Sequence, residues 1–226
     1  MNKLYAKNLC IEITRRCNMS CAHCMRGDSQ NIDIEHRYIK NLLKHFQHIH
    51  HLTITGGEPS LNTKAIRYIL KQLKLYNIHI YSIYIVTNGS LSSISKEFID
   101  ICSELYEYQE EKDDYNHMLE MSDDKYHDNQ YHQKVIATLK QYPFFGLRNQ
   151  SEHIFLFKEG RSKTGHPNPI HDIYLTTTNY VYGDIYLNAE GNILSNGDLS
   201  YLRQQYNVIC SSSNFLKYIK TTLRKE

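Results

Sequence analysis

Residues 9–24 read LCIEITRRCNMSCAHC, an apolar run that passes directly into a group of cysteines. The run at 9–13 has the length and composition of a buried strand. Cys17, Cys21 and Cys24 follow in the spacing Cys-x-x-x-Cys-x-x-Cys, so half of the chain's six cysteines lie in one short loop. Thiolates bind soft metals and iron-sulfur clusters. Three of them in one loop predict three ligands of a four-iron cluster, with the remaining iron open to another molecule.

Two further motifs stand at the ends of later strand-like runs. Gly-Gly-Glu-Pro at 56–59 directly follows the run 51–55, and Thr-Asn-Gly at 87–89 closes the run 83–86. Glycines allow a backbone to approach a ligand closely, and the glutamate supplies a carboxylate for a cationic amine. In barrels of parallel strands, reactive residues lie on the loops after the carboxyl ends of the strands. If these runs are parallel strands, we expect the three motifs to meet at the edge where the strands end.

The cysteine spacing, followed by these two motifs in this order, resembles the radical S-adenosylmethionine (radical SAM) superfamily. In that family the open iron takes the amino and carboxylate groups of SAM, and the second motif serves the SAM amino group. The resemblance covers roughly residues 9–177. It implies an α/β fold, an incomplete (β/α)6 TIM-like barrel, here followed by a short C-terminal hairpin and helix. It also implies two cofactors, a [4Fe-4S] cluster and S-adenosyl-L-methionine.

The resemblance further implies roles for individual residues. Cys17, Cys21 and Cys24 correspond to the cluster ligands. The positions expected to bind SAM are Gly56, Gly57, Glu58, Pro59, His23, Asn88, Ser122, Asp124 and Arg161.

Four of these positions carry a more specific expectation. His23 stands before the third cysteine, where the family commonly has an aromatic residue near the adenine. Ser122 and Asp124 follow the fourth predicted strand, where the family often places residues against the ribose. Arg161 corresponds to a Gly-Arg stretch and could pair with the SAM carboxylate. His127 could face substrate, but no catalytic residue is assigned.

The residues also allow plainer interpretations. A structural zinc site could combine the three cysteines with a fourth ligand such as His23, although zinc sites usually carry a second paired motif and none occurs in this sequence. Gly-Gly-Glu-Pro could be only a turn, and Asn88 could simply end a strand. Ser122 and Asp124 could cap a helix.

Hydrophobic periodicity predicts alternating strands and helices. The predicted helices cover residues 33–48, a segment capped by Asn62 or Thr63, and residues 95–108, 130–141 and 214–223. The predicted strands cover residues 9–13, 52–55, 80–86, 118–121, 154–157 and 173–177. Residues 184–187 and 192–194 flank a predicted hairpin turn.

Length and composition favour one domain. The chain has 226 residues, 41% of them hydrophobic, which predicts a single core of about residues 9–177 with an extension at 178–226. A net charge of +2 with dispersed basic residues provides no footprint for nucleic acid. The sequence shows neither a secretory signal nor an apolar run long enough to span a membrane, so we expect a cytoplasmic protein. Cys10, Cys102 and Cys210 are too scattered for a disulfide framework and are expected to be buried.

These features predict a single-cluster radical SAM enzyme that abstracts hydrogen from a substrate, with a peptide or protein side chain preferred. A reducing partner such as flavodoxin or ferredoxin is expected. The extension at 178–226 lacks the cysteines of an auxiliary cluster, and we expect it to cover the barrel mouth. Two alternatives remain: a small-molecule enzyme of the deazapurine-forming type, and a non-catalytic module that senses SAM or holds an iron-sulfur cluster.

Overall fold

The computed structural model describes residues 3–112, 117–124, 126–127, 130–149 and 156–224. The strands are β1 (Leu4–Thr14), β2 (Phe46–Gly56), β3 (His79–Thr87), β4 (Leu119–Asp123), β5 (Phe145–Asn149), β6 (Tyr174–Thr176), β7 (Tyr180–Leu187), β8 (Asn192–Leu194), β9 (Cys210–Ser211) and β10 (Leu223–Arg224). The helices are α1 (His36–Leu43), α2 (Thr63–Tyr76), α3 (Lys96–Tyr108), α4 (His132–Leu139), α5 (Tyr201–Tyr206) and α6 (Phe215–Thr221).

The strands form one mixed sheet in the order β10-β6-β7-β1-β2-β3-β4-β5. The six strands from β7 to β5 run parallel to one another, whereas β6 and β8 pair with β7 in the antiparallel direction. The predicted α/β architecture with a parallel sheet is therefore confirmed. All five strands β1 to β5 end at the same edge of the sheet, which positions the loops that follow them.

The outer face of the sheet holds the hydrophobic core. Ile11 pairs with Ile54, and Ile54 pairs with Ile85, so three fully buried isoleucines form one row across β1, β2 and β3. The helices cover this row with apolar stripes, as predicted for α2 and α3. Burying one such side chain contributes about 1.5–3 kcal/mol. The alternate residues of the same strands point to the inner face, and many of them are polar.

The first helix and the strands around it differ from the prediction. The helix predicted over 33–48 ends at Leu43, and Phe46 begins β2 instead of completing the helical stripe. Phe46 is fully buried and pairs with Leu4, because β1 begins five residues before the predicted start. Helical and strand patterns both place an apolar residue at position 46, so periodicity alone could not separate them.

The fifth and sixth strands also differ. Part of the strand predicted at 154–157 lies outside the described residues, and Phe157 forms an isolated bridge with His166 rather than part of a strand. The fifth strand along the chain is instead β5, which follows the turn at Pro143 and pairs with β4 on the side away from β3. The strand predicted at 173–177 is β6, but it runs antiparallel to β7. The sixth parallel strand is β7, on the opposite side of β1, so the chain does not form six consecutive strand-helix units.

The C-terminal hairpin and helix are confirmed as β7, β8 and α6. The segment at 178–226 does more than cover the barrel, however, because β7 pairs with β1 inside the sheet. Val181, Ile185 and Leu187 of β7 are fully buried, and this apolar pattern explains its central position. Within the described part of the chain, no helix is long and apolar enough to cross a membrane.

Candidate functional site

A cavity of about 520 Å³ lies where β1 to β4 end. Eleven of the twelve residues predicted for the cluster and SAM line it: Cys17, Cys21, His23, Cys24, Gly56, Gly57, Glu58, Asn88, Ser122, Asp124 and Arg161. Pro59 is the exception, since it is buried behind the cavity wall at the start of a 3-10 turn. The fold therefore brings together residues that are more than a hundred positions apart in the sequence.

The cysteine loop between β1 and α1 is irregular, and its three thiols are free and partly exposed. The N–H of Met19 and the Nδ2 of Asn88 both donate to the Sγ of Cys17, at 3.5 and 3.7 Å. Burial raises the pKa of the Cys17 and Cys21 thiols, and iron would displace those protons on binding. Three soft donors, one of them already accepting N–H hydrogen bonds, fit the ligand set of an iron-sulfur cluster.

Two arginines flank the cysteine loop, and both donate hydrogen bonds to residues of the C-terminal segment at 186–204. Arg15 is 1% exposed, and its guanidinium donates to Glu12 and to Gln204, each at 2.8 Å. Arg26 donates to the carbonyl of Leu199 at 2.9 Å, and its guanidinium lies 5.3 Å from the ring centroid of Tyr186. The loop is thus fastened to the segment at 186–204 on both sides. Sequence reasoning missed this network, although a glutamate inside the buried strand β1 was a signal for it.

The two glycines of the second motif are required by close backbone packing. A Cβ atom on Gly56 would lie 2.4 Å from the carbonyl oxygen of Thr14, and one on Gly57 would lie 2.3 Å from that of Arg16. The N–H groups of Gly57 and Glu58 donate to the same two carbonyls. The sequence suggested that these glycines let the backbone approach a ligand. In the structure, the backbone they free packs against the start of the cysteine loop.

Glu58 is fully buried, and protein groups occupy its carboxylate. Its Oε1 accepts from the Ser60 N–H at 3.1 Å and from the Thr87 hydroxyl at 2.8 Å, and its Oε2 accepts from the Asn88 N–H at 2.8 Å. Burial raises the pKa of Glu58 and outweighs these hydrogen bonds, which act in the opposite direction. The side chain joins the end of β2 to the end of β3.

Asn88 links the third motif to the cysteine loop. Besides its contact with Cys17, its Nδ2 donates to the Oδ1 of Asn18 at 2.9 Å. Gly89 has a φ of +73°, and a Cβ atom there would lie 2.8 Å from the side chain of Met121. The motif therefore shapes the cavity wall as well as ending β3.

His23 and the loop after β4 form another wall of the cavity. The His23 ring packs on Tyr126, with centroids 4.2 Å apart, and meets His127 edge-on at 5.1 Å. Asp124 accepts from the Tyr126 N–H at 2.8 Å and from the Nδ1 of His127. Burial would raise the pKa of Asp124, but these hydrogen bonds lower it overall. His23, Asp124 and His127 also lie close enough together to hold a metal ion.

Neither Ser122 nor Asp124 caps α4, which begins ten residues after Ser122, at His132, with Tyr131 at its N-cap. Ser122 is buried in β4 and lines the cavity, and Asp124 closes a local turn. Helix capping therefore does not explain either residue.

Arg161 lies on a turn that packs against the third cysteine. Its N–H donates to the carbonyl of Cys24 at 2.9 Å, and its Nη1 donates to Asp28 at 3.2 Å. The Nε of Arg161 is buried and has no hydrogen-bond partner among the described residues. Arg161 also lines the cavity, and a guanidinium at a cavity wall is a favourable partner for a carboxylate.

The cavity continues along the inner face of the sheet. The hydroxyl of Tyr84 donates to Glu120 at 2.5 Å, and the Nδ2 of Asn8 donates to Asp184 at 2.7 Å. Cys10 lines the cavity, and both Cys10 and Cys210 are only partly buried, so the expected burial is confirmed for Cys102 but was wrong for the other two. TIM barrels are filled by layers of branched apolar side chains. A polar inner wall instead suits a space that admits a ligand.

The family model of the Radical SAM superfamily matches residues 11–151, which is more than half of the chain. The chain therefore belongs to the radical SAM superfamily. Members of this superfamily are enzymes that use a [4Fe-4S] cluster and SAM, in agreement with the thiol loop and the cavity.

Several known proteins are similar to parts of the chain. It is 31% identical over 67 residues to the uncharacterized protein MJ0907 of Methanocaldococcus jannaschii, which covers 28% of this chain and 23% of that protein. It is 31% identical over 91 residues to the putative peptide biosynthesis protein YydG of Bacillus subtilis, and the match covers 38% of this chain and 28% of that protein. The solved structure of anSMEcpe with bound AdoMet aligns with a TM-score of 0.46 and 18% sequence identity, and the match covers 63% of this chain and 43% of that protein. The chain thus matches less than half the length of each protein.

Proposed function

We propose that the chain cleaves SAM reductively and uses the resulting 5′-deoxyadenosyl radical to abstract hydrogen from a substrate. The cluster, when bound, supplies the electron that breaks the sulfur-carbon bond of SAM. One observation carries the proposal: three motifs distant in sequence are joined at one cavity. Asn88 donates hydrogen bonds to the sulfur of Cys17 from its side-chain amide and to the carboxylate of Glu58 from its backbone N–H.

Cys17, Cys21 and Cys24 are the proposed cluster ligands. Their loop is held before Cys17 by Arg15 and after Cys24 by Arg26, through contacts that do not involve the thiols. Preorganised ligands lose little conformational freedom on binding. The loop structure itself is therefore part of the proposed cluster site.

The proposed SAM site surrounds this loop. Arg161 lines the cavity, and its guanidinium would bind the carboxylate of SAM. His23, packed on Tyr126, offers an aromatic surface to the adenine, while Ser122 and Asp124 offer a hydroxyl and a carboxylate to the ribose.

The second motif acts in this proposal mainly through its backbone. Gly56 and Gly57 line the cavity, and Pro59 starts the turn behind it. Glu58 supports this wall through Ser60 and Asn88 rather than offering a free carboxylate to the amine. Its effect on SAM affinity would thus be indirect.

The proposed substrate is a peptide or protein side chain. The polar inner wall, with Tyr84, Glu120 and Arg148 among its residues, can hydrogen-bond a chain that enters from the open edge. The similarity to a protein described as acting in peptide biosynthesis supports the same choice. Free thiols in a metal loop require a reducing compartment, so we also propose a cytoplasmic location.

Anaerobic reconstitution followed by a SAM-cleavage assay tests the proposal. The wild type should bind about four irons per chain and form 5′-deoxyadenosine with dithionite. Cys21→Ala should lose both iron binding and 5′-deoxyadenosine formation. Cys210→Ala, outside the loop, should keep both properties. Zinc binding without a cluster would contradict the proposal, as would a SAM-bound, cluster-replete protein that forms no 5′-deoxyadenosine with several reductants.

A further inference from the structure

Two loops at the cavity wall bring three metal-binding side chains together. His23 lies on the cysteine loop, and Asp124 and His127 lie on the loop that follows β4. One ring nitrogen of each histidine and one carboxylate oxygen of Asp124 lie within 4.8 Å of one another. All three residues line the cavity. We use the term His-Asp-His site for these three residues.

Local hydrogen bonds fix two of the three side chains. The Nδ1 of His127 lies 2.8 Å from the Oδ2 of Asp124, and the N–H of Tyr126 donates to the Oδ1 of Asp124 at 2.8 Å. The side chain of Asp124 is only 5% exposed and that of His127 only 14%, so this is not an ordinary surface pair. Zinc sites often contain such a pair, in which the carboxylate either binds the ion or orients the ring that binds it.

His23 has a ring nitrogen that no described protein group satisfies. Its Nδ1 is buried and has no hydrogen-bond partner among the described residues, although the ring itself packs on Tyr126. Stacking on adenine would use the face of the ring and would leave this nitrogen as it is. A buried polar atom without a partner is unfavourable, and a ligand that binds it removes that cost. With Asp124 and His127 alongside, a metal ion is a suitable ligand.

The donor set favours Zn²⁺ among the common divalent ions. Imidazole nitrogens suit zinc, whereas magnesium and calcium prefer oxygen ligands. Zinc sites with three protein ligands keep a fourth position for water or another molecule, and the cavity provides room for one. The charge of Asp124 favours a cation. Arg161 also lines the cavity and opposes a cation, and its ion pair with Asp28 offsets part of that effect.

We propose that the His-Asp-His site binds one Zn²⁺ ion and that the bound ion keeps SAM out of the cavity. The exclusion of SAM rests on the proposed function, in which His23 contacts the adenine and Asp124 contacts the ribose. An ion held by these side chains would take the place of both contacts. Zinc would therefore act as a reversible inhibitor that competes with SAM and leaves the three cysteines with their iron.

Calorimetric titration of the anaerobically reconstituted protein with zinc chloride tests the site, and iron analysis before and after shows that the cluster is retained. The wild type should bind one zinc ion per chain. His127→Ala and His23→Phe should each weaken zinc binding at least about ten-fold. The control His79→Ala removes a histidine beside a carboxylate, Glu110, at the other end of β3, and should change the affinity less than about two-fold.

A second variant separates this site from zinc on the thiols. Cys17→Ser/Cys21→Ser/Cys24→Ser cannot hold the cluster, but it keeps all three residues of the His-Asp-His site and should still bind one zinc ion. Loss of zinc binding in this variant, with unchanged affinity in His127→Ala, would place the ion on the cysteine loop and overturn the proposal.

A wild type that binds no zinc would also overturn the site, as would a control that weakens binding as much as the two histidine variants do. Competition tests the exclusion of SAM. With SAM at ten times its own Kd, the apparent Kd for zinc should rise about ten-fold, and an unchanged value would refute the exclusion. If the wild type forms no 5′-deoxyadenosine with several reductants, the proposed function fails, and the zinc titrations still judge the metal site.

Discussion

Replacing Glu58 by Gln tests how the second motif works. The two carboxylate oxygens accept from three protein donors, and oxygen can accept in either protonation state. An amide nitrogen cannot. In one orientation the new amide NH₂ faces the N–H of Asn88, and in the other it faces the N–H of Ser60. At least one buried backbone donor therefore loses its acceptor.

The expected loss follows from these contacts. A hydrogen bond to a charged group contributes about 1.5–3 kcal/mol, and a buried donor left unsatisfied costs about 1–3 kcal/mol. We expect the free energy of unfolding of Glu58→Gln to fall by about 2–4 kcal/mol. Glu104→Gln is the matched control, because its ion pair with Arg67 is about half exposed and is worth less than about 1 kcal/mol.

Urea unfolding of the cluster-free proteins, followed by circular dichroism, measures both differences. SAM affinity of the reconstituted proteins should also fall for Glu58→Gln, since the support of Asn88 is weakened. A Glu58→Gln protein with wild-type stability but lost SAM affinity would refute this reasoning. It would indicate that the carboxylate reaches the ligand directly, as the sequence suggested.

Three further predictions concern the surroundings of the cysteine loop. Gly57→Ala should reduce stability by about 1–3 kcal/mol and lower iron retention, because its Cβ would clash with the Arg16 carbonyl; thermal unfolding and iron analysis check this. Gln204→Ala should cost about 1–3 kcal/mol and reduce cluster retention, because Gln204 is fully buried against Arg15, whereas Gln205→Ala on the exposed side of α5 should change neither quantity. The pKa of Glu12 is lowered because Arg26 and Arg15 outweigh the effect of burial, so its contribution is complete above its ordinary pKa near 4.5 and is lost as the pH falls through the lower folded value. Urea unfolding between pH 7 and pH 3 should show this acid loss, and Glu12→Gln should show a smaller dependence on pH.

Most of the site could be predicted because its motifs are local. The cysteine loop, the Gly-Gly-Glu-Pro turn and Asn88 each follow a strand, and the ends of parallel strands meet at one edge. The fifth strand, predicted at 154–157 but found at 145–149, could not be predicted because its pairing is not local. Residues 145–149 contain a glycine and an arginine, and only pairing with β4 makes them a strand. Long-range pairing leaves little trace in a short segment.

Three thiols within one loop need no distant partner to form a metal site, so their spacing, together with the two motifs that follow in order, allowed the cofactors to be predicted from the sequence. The role of Glu58 and the position of β7 were not accessible in that way. Glu58 meets donors from another strand, and β7 pairs with β1 across more than 160 residues of chain. A buried polar group forms hydrogen bonds with the donors and acceptors that lie near it in the folded chain. Those partners are determined by how the strands pack, so the sequence alone does not identify them.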